Sequence, residues 1–459
     1  KRSGAAGNPI VIMAYPGEVP VIKGSDVVTG WVRHSGNVWK KTGWPHNSQQ
    51  VFANFDSTFS KSLQQIGMPS RYYTSWEYPS PAGSGLANMA PGRFYYDSAA
   101  QTLYVQLADN GDPNKRQMEA STRRRLLMMH QPYIWVKSLR FRHSNLSAFA
   151  QQGAAVELSG HSVIEQCDIQ HVDFAGLGMA YLQDNSRVEN CNISNNGSTG
   201  INAAGSRNFT VRNVTLMNNN YRNFNAYWHA GGLKASTNAW GTIENSVMGN
   251  NKGPGIWFDY SRSGMPILVR NNYVHDNSAG EAGIFFEVSD NGLFYNNVVS
   301  RNLWRGIYLA AGNNSRVYNN TVYGTVKRAG IEVAGMPRGT ATLTNNLIYN
   351  NIVSHGASQY DLYFAAPDGT TIAGNRSDYN LFFKSLAASI VLRQGGTYTS
   401  LASWQAATGH DTSSRSTDPK FVAPGKAATG LAVAVGSQAI DAGTSLTSVP
   451  NDYRNSPRP

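Results

Sequence analysis

The sequence predicts an all-β chain organised as a parallel β-helix solenoid, and a repeated unit indicates this fold. After about residue 160, a Gly followed by an apolar residue recurs, and each copy opens a stretch of alternating apolar and polar residues. Successive copies lie 23 to 32 residues apart, with their anchors at Gly200, Gly232, Gly255, Gly283, Gly306 and Gly330. A repeat of about 20–30 residues with short strands is typical of a solenoid in which each repeat forms one coil.

Paired asparagines follow the alternating stretches and support the same fold. Examples are the pairs at 271–272, 296–297, 319–320 and 345–346. Asparagine tolerates the left-handed backbone of tight turns, and its side-chain amide can bond to the equivalent amide of the next coil. Leucine-rich repeats share the period, but the sequence lacks their LxxLxL pattern. We therefore expect parallel coils about 4.8 Å apart with asparagine ladders between them.

The repeat is interrupted near the start of the chain and fades near its end. Residues 1–23 are expected to form a first coil, and residues 24–130, rich in Trp, Tyr and turn residues, an inserted β-rich, sandwich-like module. The parallel β-helix then continues over residues 131–400. Residues 401–459 are expected to form a C-terminal cap, because a solenoid needs its open core covered.

The two cysteines support the register of the coils. Residues 163–169 align with residues 187–193, which places Cys167 and Cys191 one repeat of 24 residues apart. We expect both side chains in one interior column, as packed free thiols, with a disulfide as the alternative. No zinc-binding spacing accompanies them.

Composition and charge exclude several classes of protein. Only 15% of the residues are charged, too few for a charged disordered chain or a coiled coil. No apolar run of about 18 residues is present, so no membrane-spanning helix is expected. The net charge of +11 suits an acidic partner such as a uronate-bearing polysaccharide, although a general solubility charge explains it equally well. No nucleic-acid-binding motif is found.

One outward face of the predicted coils carries two acids. Because side chains alternate along a strand, the second and fourth residues after each anchoring Gly should point outward. The fourth position is acidic on two successive coils, at Asp259 and Glu287. Their carboxyls should then lie about 5 Å apart, as in retaining glycosidases. Because acids on an exposed strand are commonly just solvated, that interpretation stays open as well.

An aromatic row accompanies the acids on the same face. The second residue after the anchoring Gly is aromatic on three coils, at Trp257, Phe285 and Tyr308. Sugar C–H faces stack well on such rings, so we expect this row to line a groove and bind substrate. Arg305 and Glu332 belong to the same face and are further candidate substrate ligands.

Lys234, on the coil before Asp259, offers a different chemistry. Polysaccharide lyases take the proton beside a uronate with a Lys, Tyr or His, while a cation neutralises the carboxylate. The alternative is a salt bridge in which Lys234 orients Asp259. Trp228 is a further candidate for binding substrate. His229, which follows it, either donates to a substrate hydroxyl or caps a loop. No cofactor is expected unless the protein is a lyase that uses calcium, for which the acids of this face form only a loose cluster.

The segment from Trp228 to Glu287 resembles the β-helix β-xylosidase group of glycoside hydrolases. It reads Trp-x-x-Gly-Gly-x-Lys, then Gly-Ile-Trp-x-Asp, then Gly-Ile-x-x-Glu. This resemblance implies a bacterial protein, secreted to the periplasm or the exterior, with a right-handed parallel β-helix and an early β-sandwich insertion. It also implies Asp259 as the nucleophile and Glu287 as the acid/base.

Three functions follow from these patterns. The favoured one is a retaining glycoside hydrolase that cleaves a poly- or oligosaccharide. The first alternative is a lyase acting on a uronate polymer with Lys234 as base, and the second is a non-catalytic sugar-binding surface protein. The sequence lacks the Asp-Asp cluster of pectate lyases and the Asp-Pro-His signature of β-helix mannuronan epimerases, which counts against those two subfamilies.

Overall fold

The protein is an all-β, right-handed parallel β-helix of about 11 turns, which confirms the predicted fold class. The computed structural model describes residues 2–54, 62–147, 153–336, 342–365, 371–385, 388–425 and 427–458. The chain divides into two compact units. The first consists of Lys1–Met179, Cys191–Asn202 and Asn218–Ala230, and the second of Ala180–Asn190, Ala203–Met217 and Gly231–Pro459.

The coils of the first unit contribute strands to three parallel sheets. These strands are Ile10–Met13, Val21–Lys23, Leu127–Met128, Ile134–Lys137, Arg140–Arg142, Ala154–Glu157, Val163–Glu165, Asp168–Gln170, Ala175–Gly178, Asn192–Ser194 and Thr199–Asn202. Ile10–Met13 pairs in parallel with Ile134–Lys137, so the chain leaves the solenoid after its first coil and later returns to it. The return is earlier than the expected boundary at residue 131, because Leu127–Met128 already pairs with Ala154–Glu157.

Two small sheets build the inserted module. Ser25–Val27, Met118–Ser121 and Val51–Ala53 form a three-stranded antiparallel sheet. The five-stranded second sheet contains Val32–Ser35, Val38–Lys41, Thr102–Gln106, Arg93–Asp97 and Gln64–Gln65. Leu86–Asn88 and Pro113–Lys115 are short 3-10 helices. Side chains from both sheets, including Val51, Phe94 and Met118, share one buried cluster, the arrangement of a small sandwich.

The second unit stacks its coils into three parallel sheets. The site sheet contains Gly231–Ser236, Ile256–Asp259, Ile284–Glu287, Arg305–Ala310, Ala329–Ala334, Tyr360–Ala365 and Leu392–Gln394, with Gly396–Tyr398 added antiparallel. Another sheet contains Arg187–Glu189, Phe209–Arg212, Gly241–Glu244, Ile267–Arg270, Gly292–Tyr295, Arg316–Tyr318, Leu347–Tyr349 and Arg376–Asp378. The third contains Thr215–Met217, Val247–Gly249, Tyr273–His275, Val298–Ser300, Thr321–Tyr323, Ile352–Ser354 and Leu381–Phe383. A separate parallel ribbon joins Thr342–Thr344 to Thr371–Ala373.

Asparagine ladders connect successive coils of the second unit, as the paired asparagines predict. The Asn272 side-chain amide donates to Asn297 at 3.0 Å, and Asn297 donates to Asn320 at 2.9 Å. These amides are buried, and each also donates to a backbone carbonyl. The preceding Asn of each pair turns the chain, with a φ of 55° at Asn271 and 53° at Asn296. The inner amides thus satisfy backbone groups at the turns.

The cysteines of the first unit occupy neighbouring coils, as the register predicts. The strands that follow them pair in parallel, and the Cys167 backbone N–H donates to the Cys191 sulfur at 3.4 Å. Both side chains are buried free thiols.

The C-terminal part of the second unit does more than cover the last coil. The helix Leu401–Thr408 buries Trp404 near Phe364, and Ala428–Leu431 forms a 3-10 helix. Residues 443–458, here called the C-terminal strap, then run back along the side of the coils. The strap bonds to the outer asparagines of three coils, through the pairs Thr444–Asn350, Asn451–Asn296 and Tyr453–Asn271. Across the described ranges, no helix has the length and apolar character needed to cross a bilayer.

Candidate active site

Two neighbouring strands of the site sheet place Asp259 beside Glu287. Ile256–Asp259 pairs in parallel with Ile284–Glu287, and Asp259 is the register partner of Glu287. The repeat between them is longer than its neighbours, but its additional residues lie in the turns on either side of the strands. The strands therefore keep their register, and the two acids, here called the acid pair, occupy one column on adjacent coils.

The expected aromatic row is present, and its rings are buried among the described residues. Trp257, Phe285 and Tyr308, here called the ring row, are register partners, and their neighbouring ring centroids are 5.3 Å apart. All three side chains are buried, with Trp257 only 4% exposed, and their role in binding a sugar stays a prediction. The rings cover one another along the stack, and Ala282, Ala310, Ala334, Met336 and Ala365 pack against them. The alternation of side chains along a strand determines which way each side chain points, but not which neighbouring residues cover it.

Lys234 contacts both the ring row and the acid pair. Its ammonium nitrogen lies 3.0 Å from Asp259 Oδ2 and 3.6 Å from the centroid of the Trp257 ring. The Lys234 side chain is 9% exposed and that of Asp259 is 16% exposed. The structure therefore contains the salt bridge that the sequence offered as one of two roles for Lys234. Both contacts stabilise the ammonium cation.

The two carboxyls of the acid pair have different surroundings. Glu287 is 2% exposed, and its Oε2 accepts a hydrogen bond from the Trp257 indole N–H at 3.1 Å. Asp259 forms its ion pair with Lys234 through Oδ2. Its other oxygen, Oδ1, is buried and accepts no hydrogen bond from any described residue. A buried acceptor without a donor is costly, so Asp259 Oδ1 is the position in this site where a ligand donor would be most stabilising.

Arg305 and Glu332 take part in a network of ion pairs at the other end of the ring row. Arg305 binds Glu332 at 2.7 Å and also Glu281, while Arg328 lies 3.2 Å from Glu332. Burial acts against the charge of Arg305, but the ion pair with Glu332 raises its pKa. Burial, with a contribution from Glu332, raises the pKa of Tyr308, which is therefore a neutral phenol at pH 7. The sequence did not single out Glu281, which lies in a turn outside the strand pattern.

The remaining candidates, Trp228 and His229, belong to the first unit. The Trp228 ring lies 5.3 Å from that of Trp76. The His229 ring is buried and stacks on Phe174, with a centroid distance of 5.0 Å and an interplanar angle of 13°. The roles suggested for both residues toward substrate remain predictions.

A calcium site on the acids of the site sheet was expected only for a lyase. Within the part of the chain that the structure describes, no group of three or more His, Cys, Asp or Glu residues is arranged to hold a metal ion. The acid pair instead has a cation, Lys234, and an N–H donor, Trp257, from the protein itself.

Solved structures that match this chain include proteins described by a sugar ligand or by an activity on sugars. XylC, solved in complex with xylose, has 14% identity, a TM-score of 0.57, and coverage of 92% of this chain and 79% of that chain. A structure described as a glycoside hydrolase has 12% identity, a TM-score of 0.44, and coverage of 81% and 85%. A mutant of the periplasmic alginate epimerase AlgG has 15% identity, a TM-score of 0.41, and coverage of 53% and 59%. At 14% identity, the similarity to XylC is evidence for a common fold and not for a common activity.

The amino-acid sequence itself matches one protein family. No curated protein matches the chain. The family described as a right-handed β-helix region matches residues 133–227 and 220–376, which together make up more than half of the chain. The matched residues include the acid pair and Lys234. The chain therefore belongs to the right-handed β-helix family.

Proposed function

We propose that the protein is a retaining glycoside hydrolase that cleaves a poly- or oligosaccharide, with Asp259 as nucleophile and Glu287 as general acid/base. The observation that carries this proposal is the register pairing of Asp259 with Glu287 on adjacent coils. Paired strands lie about 4.8 Å apart, which suits the carboxyl separation of about 5–5.5 Å in retaining enzymes.

The surroundings of the two acids favour this division of roles. Lys234 stabilises negative charge on Asp259, as a nucleophilic carboxylate requires. Asp259 would attack the anomeric carbon while the glycosidic C–O bond breaks and Glu287 protonates the leaving oxygen. Water would then attack the same carbon, Glu287 would take its proton, and Asp259 would be released. These steps need no metal.

Burial of the acid pair restricts access of the substrate. Because Glu287 is 2% exposed, a leaving-group oxygen can reach it only when neighbouring side chains move. The ring row then supports the acids from within the site, and the Trp257 N–H orients the Glu287 carboxyl. Support for a sugar substrate comes from the fold shared with XylC, which was solved with xylose, and from the motif around the acid pair.

The contacts of Lys234 weigh against the alternative lyase mechanism. A base that removes the proton beside a uronate must be neutral before it acts. Lys234 instead lies between a carboxylate and the face of an indole, both of which favour the ammonium form. Tyr308, the other possible base of this face, has its pKa raised by burial.

Chemical rescue tests the proposal. Asp259→Ala and Glu287→Ala should each nearly abolish hydrolysis, and azide should partly restore turnover of Asp259→Ala with a glycosyl azide of inverted configuration as product. Glu165→Gln, which changes a carboxylate on a coil of the first unit, is the control and should keep its activity. Ultraviolet-absorbing unsaturated sugars from the wild type would instead show β-elimination and overturn the proposal.

A further inference from the structure

Two loops of the first unit bring a pair of tryptophans together at the surface. Trp76 comes from the inserted module, and Trp228 comes from the loop at residues 218–230. Their ring centroids are 5.3 Å apart and the ring planes are inclined by 58°. Trp76 is 55% exposed, Trp228 is partly exposed, and the neighbouring Tyr227 is exposed. Two indoles at this angle form a shallow wedge with apolar walls, here called the tryptophan pair.

A buried aromatic cluster joins the two loops that carry the tryptophan pair. Phe224, from the Trp228 loop, lies 5.3 Å from Tyr73 and 5.0 Å from Tyr78, both from the Trp76 loop. Phe174 completes the cluster at 5.1 Å from Phe224. All four rings are buried, so the two loops are packed together as part of the core of this unit. Close packing of this kind gives a defined position to the loops that carry the two exposed rings.

Asn225 fixes the backbone of both loops beside the tryptophan pair. Its side-chain amide donates to the Trp76 carbonyl at 2.7 Å, and its backbone N–H donates to the Glu77 carbonyl at 2.9 Å. Its side-chain oxygen accepts from the Tyr227 backbone N–H at 2.9 Å. One residue therefore bonds to the chain on both sides of the wedge, which pre-organises the two indoles before any ligand binds.

We propose that the tryptophan pair is a sugar-binding platform that holds a pyranose ring of an uncharged oligosaccharide. The inference rests on the proposed function for its choice of a saccharide ligand. A pyranose has apolar C–H faces that can rest on the indoles, while its hydroxyls at the rim stay in water or bond to Tyr227 and the loop backbone. Rigid exposed indoles are costly in water, and covering them with a sugar recovers part of that cost.

The size of the platform favours a sugar over a protein partner. Each indole offers at most about 200 Å² of surface, so the pair offers roughly 400 Å². A stable protein interface needs about 800 Å² from each partner. The inserted module would then have a role in the protein, since it supplies Trp76 and so completes the platform.

Direct binding of sugars to an inactive form of the full chain tests the platform. Asp259→Asn would serve as parent, and xylohexaose and cellohexaose would be titrated by calorimetry. Trp76→Ala and Trp228→Ala, each added to the parent, should weaken binding of the preferred sugar by about 10-fold or more. Tyr15→Ala removes a 74% exposed aromatic side chain of the same unit and should leave the affinity unchanged. Unfolding midpoints equal to that of the parent would show that the variants are folded.

The outcomes separate this inference from the proposed hydrolysis. Unchanged affinity in both Trp variants, or no binding of either sugar to the parent, would overturn the platform. Wild-type hydrolysis that depends on Asp259 would in that case leave the proposed function standing. Binding that depends on both indoles, in a wild type that hydrolyses nothing, would support the platform and reject the hydrolase.

Discussion

The Lys234 ammonium lies 3.0 Å from Asp259 Oδ2, across two adjacent coils of the site sheet. The two side chains are in different columns, since Lys234 is the register partner of Trp257 and Ser236 that of Asp259. The ion pair is therefore diagonal, and it ties the ring row to the acid pair. Removing either charge leaves the other one largely buried and without its counterion.

Replacement of Lys234 tests this ion pair. Lys234→Met should lower the free energy of unfolding by about 3–5 kcal/mol, because it leaves a largely buried carboxylate without its cation. Adding Asp259→Asn should recover part of the loss, as a double-mutant cycle would show. Lys137→Met is a matched control, since Lys137 pairs with Glu165 at 2.8 Å near the Trp135 ring but is 28% exposed. That change should cost about 1 kcal/mol or less. Equal losses from the two Lys variants would contradict the prediction.

Two substitutions of Trp257 separate packing from hydrogen bonding. Trp257→Phe keeps a ring in the stack but removes the N–H that donates to Glu287, so kcat should fall about 10-fold, in line with the loss of one hydrogen bond to a buried carboxyl group. Trp257→Ala should in addition lower the free energy of unfolding by about 3–5 kcal/mol, because it opens a cavity in the ring row. Steady-state kinetics and denaturant titration measure the two effects. A fully active Trp257→Phe would show that the indole N–H has no role.

Stability of the first unit should depend on pH through His143. This ring is buried, stacks on Phe52 at 3.7 Å and lies 2.9 Å from Ser25 Oγ. Burial, opposed by the contact with Glu119, lowers its pKa to about 4, against about 6.5 in an unfolded chain. The unfolded chain binds more protons between these values, so stability should fall by roughly 3 kcal/mol as the pH drops from about 6.5 through about 4.

The His143 prediction can be isolated by substitution. Unfolding midpoints measured from about pH 7 down to about pH 4 should fall less steeply in His143→Phe than in the wild type, because the variant lacks one titrating ring. Part of the slope should remain, since burial also lowers the pKa of His171 to about 4. His34→Phe changes an exposed ring and should keep the wild-type slope. Below that pH range, Glu119 contributes to the pH dependence of stability. Its burial acts to raise its pKa, but hydrogen bonds from His143, Lys23 and Ser25 lower it to about 2, so its contribution is lost as the pH falls from about 4.5 toward 2. A wild-type slope in His143→Phe would refute the assignment.

The C-terminal strap should contribute to stability through Val449. This side chain is 2% exposed and packs with Tyr295 and Tyr318. Val449→Ala should lower the free energy of unfolding by about 1–3 kcal/mol in a denaturant titration. Val435→Ala, at a position that is 98% exposed, is the control and should stay within about 0.5 kcal/mol of wild type. A strap that only rests on the surface would give equal values for both.

The fold and the acid pair could be predicted because both depend on local regularities. Alternation within a strand and a near-constant repeat length were sufficient to align Asp259 with Glu287. The burial of the ring row could not be predicted in this way, because residues that pack against this cluster, such as Met336, lie outside the repeated strand positions. The tryptophan pair was also beyond the pattern, since Trp76 lies in a loop that belongs to no repeat.

The C-terminal strap has a consequence for how the chain folds. Most contacts of a solenoid join residues about one repeat apart, so coils can form in turn as the chain emerges from the ribosome. Tyr453, however, bonds to Asn271 across 182 residues of sequence. The outer edge of these coils is therefore completed only after Tyr453 has been synthesised. Once in place, the strap should stop the last coils from peeling off one at a time, because each can detach only after a long loop has been reopened.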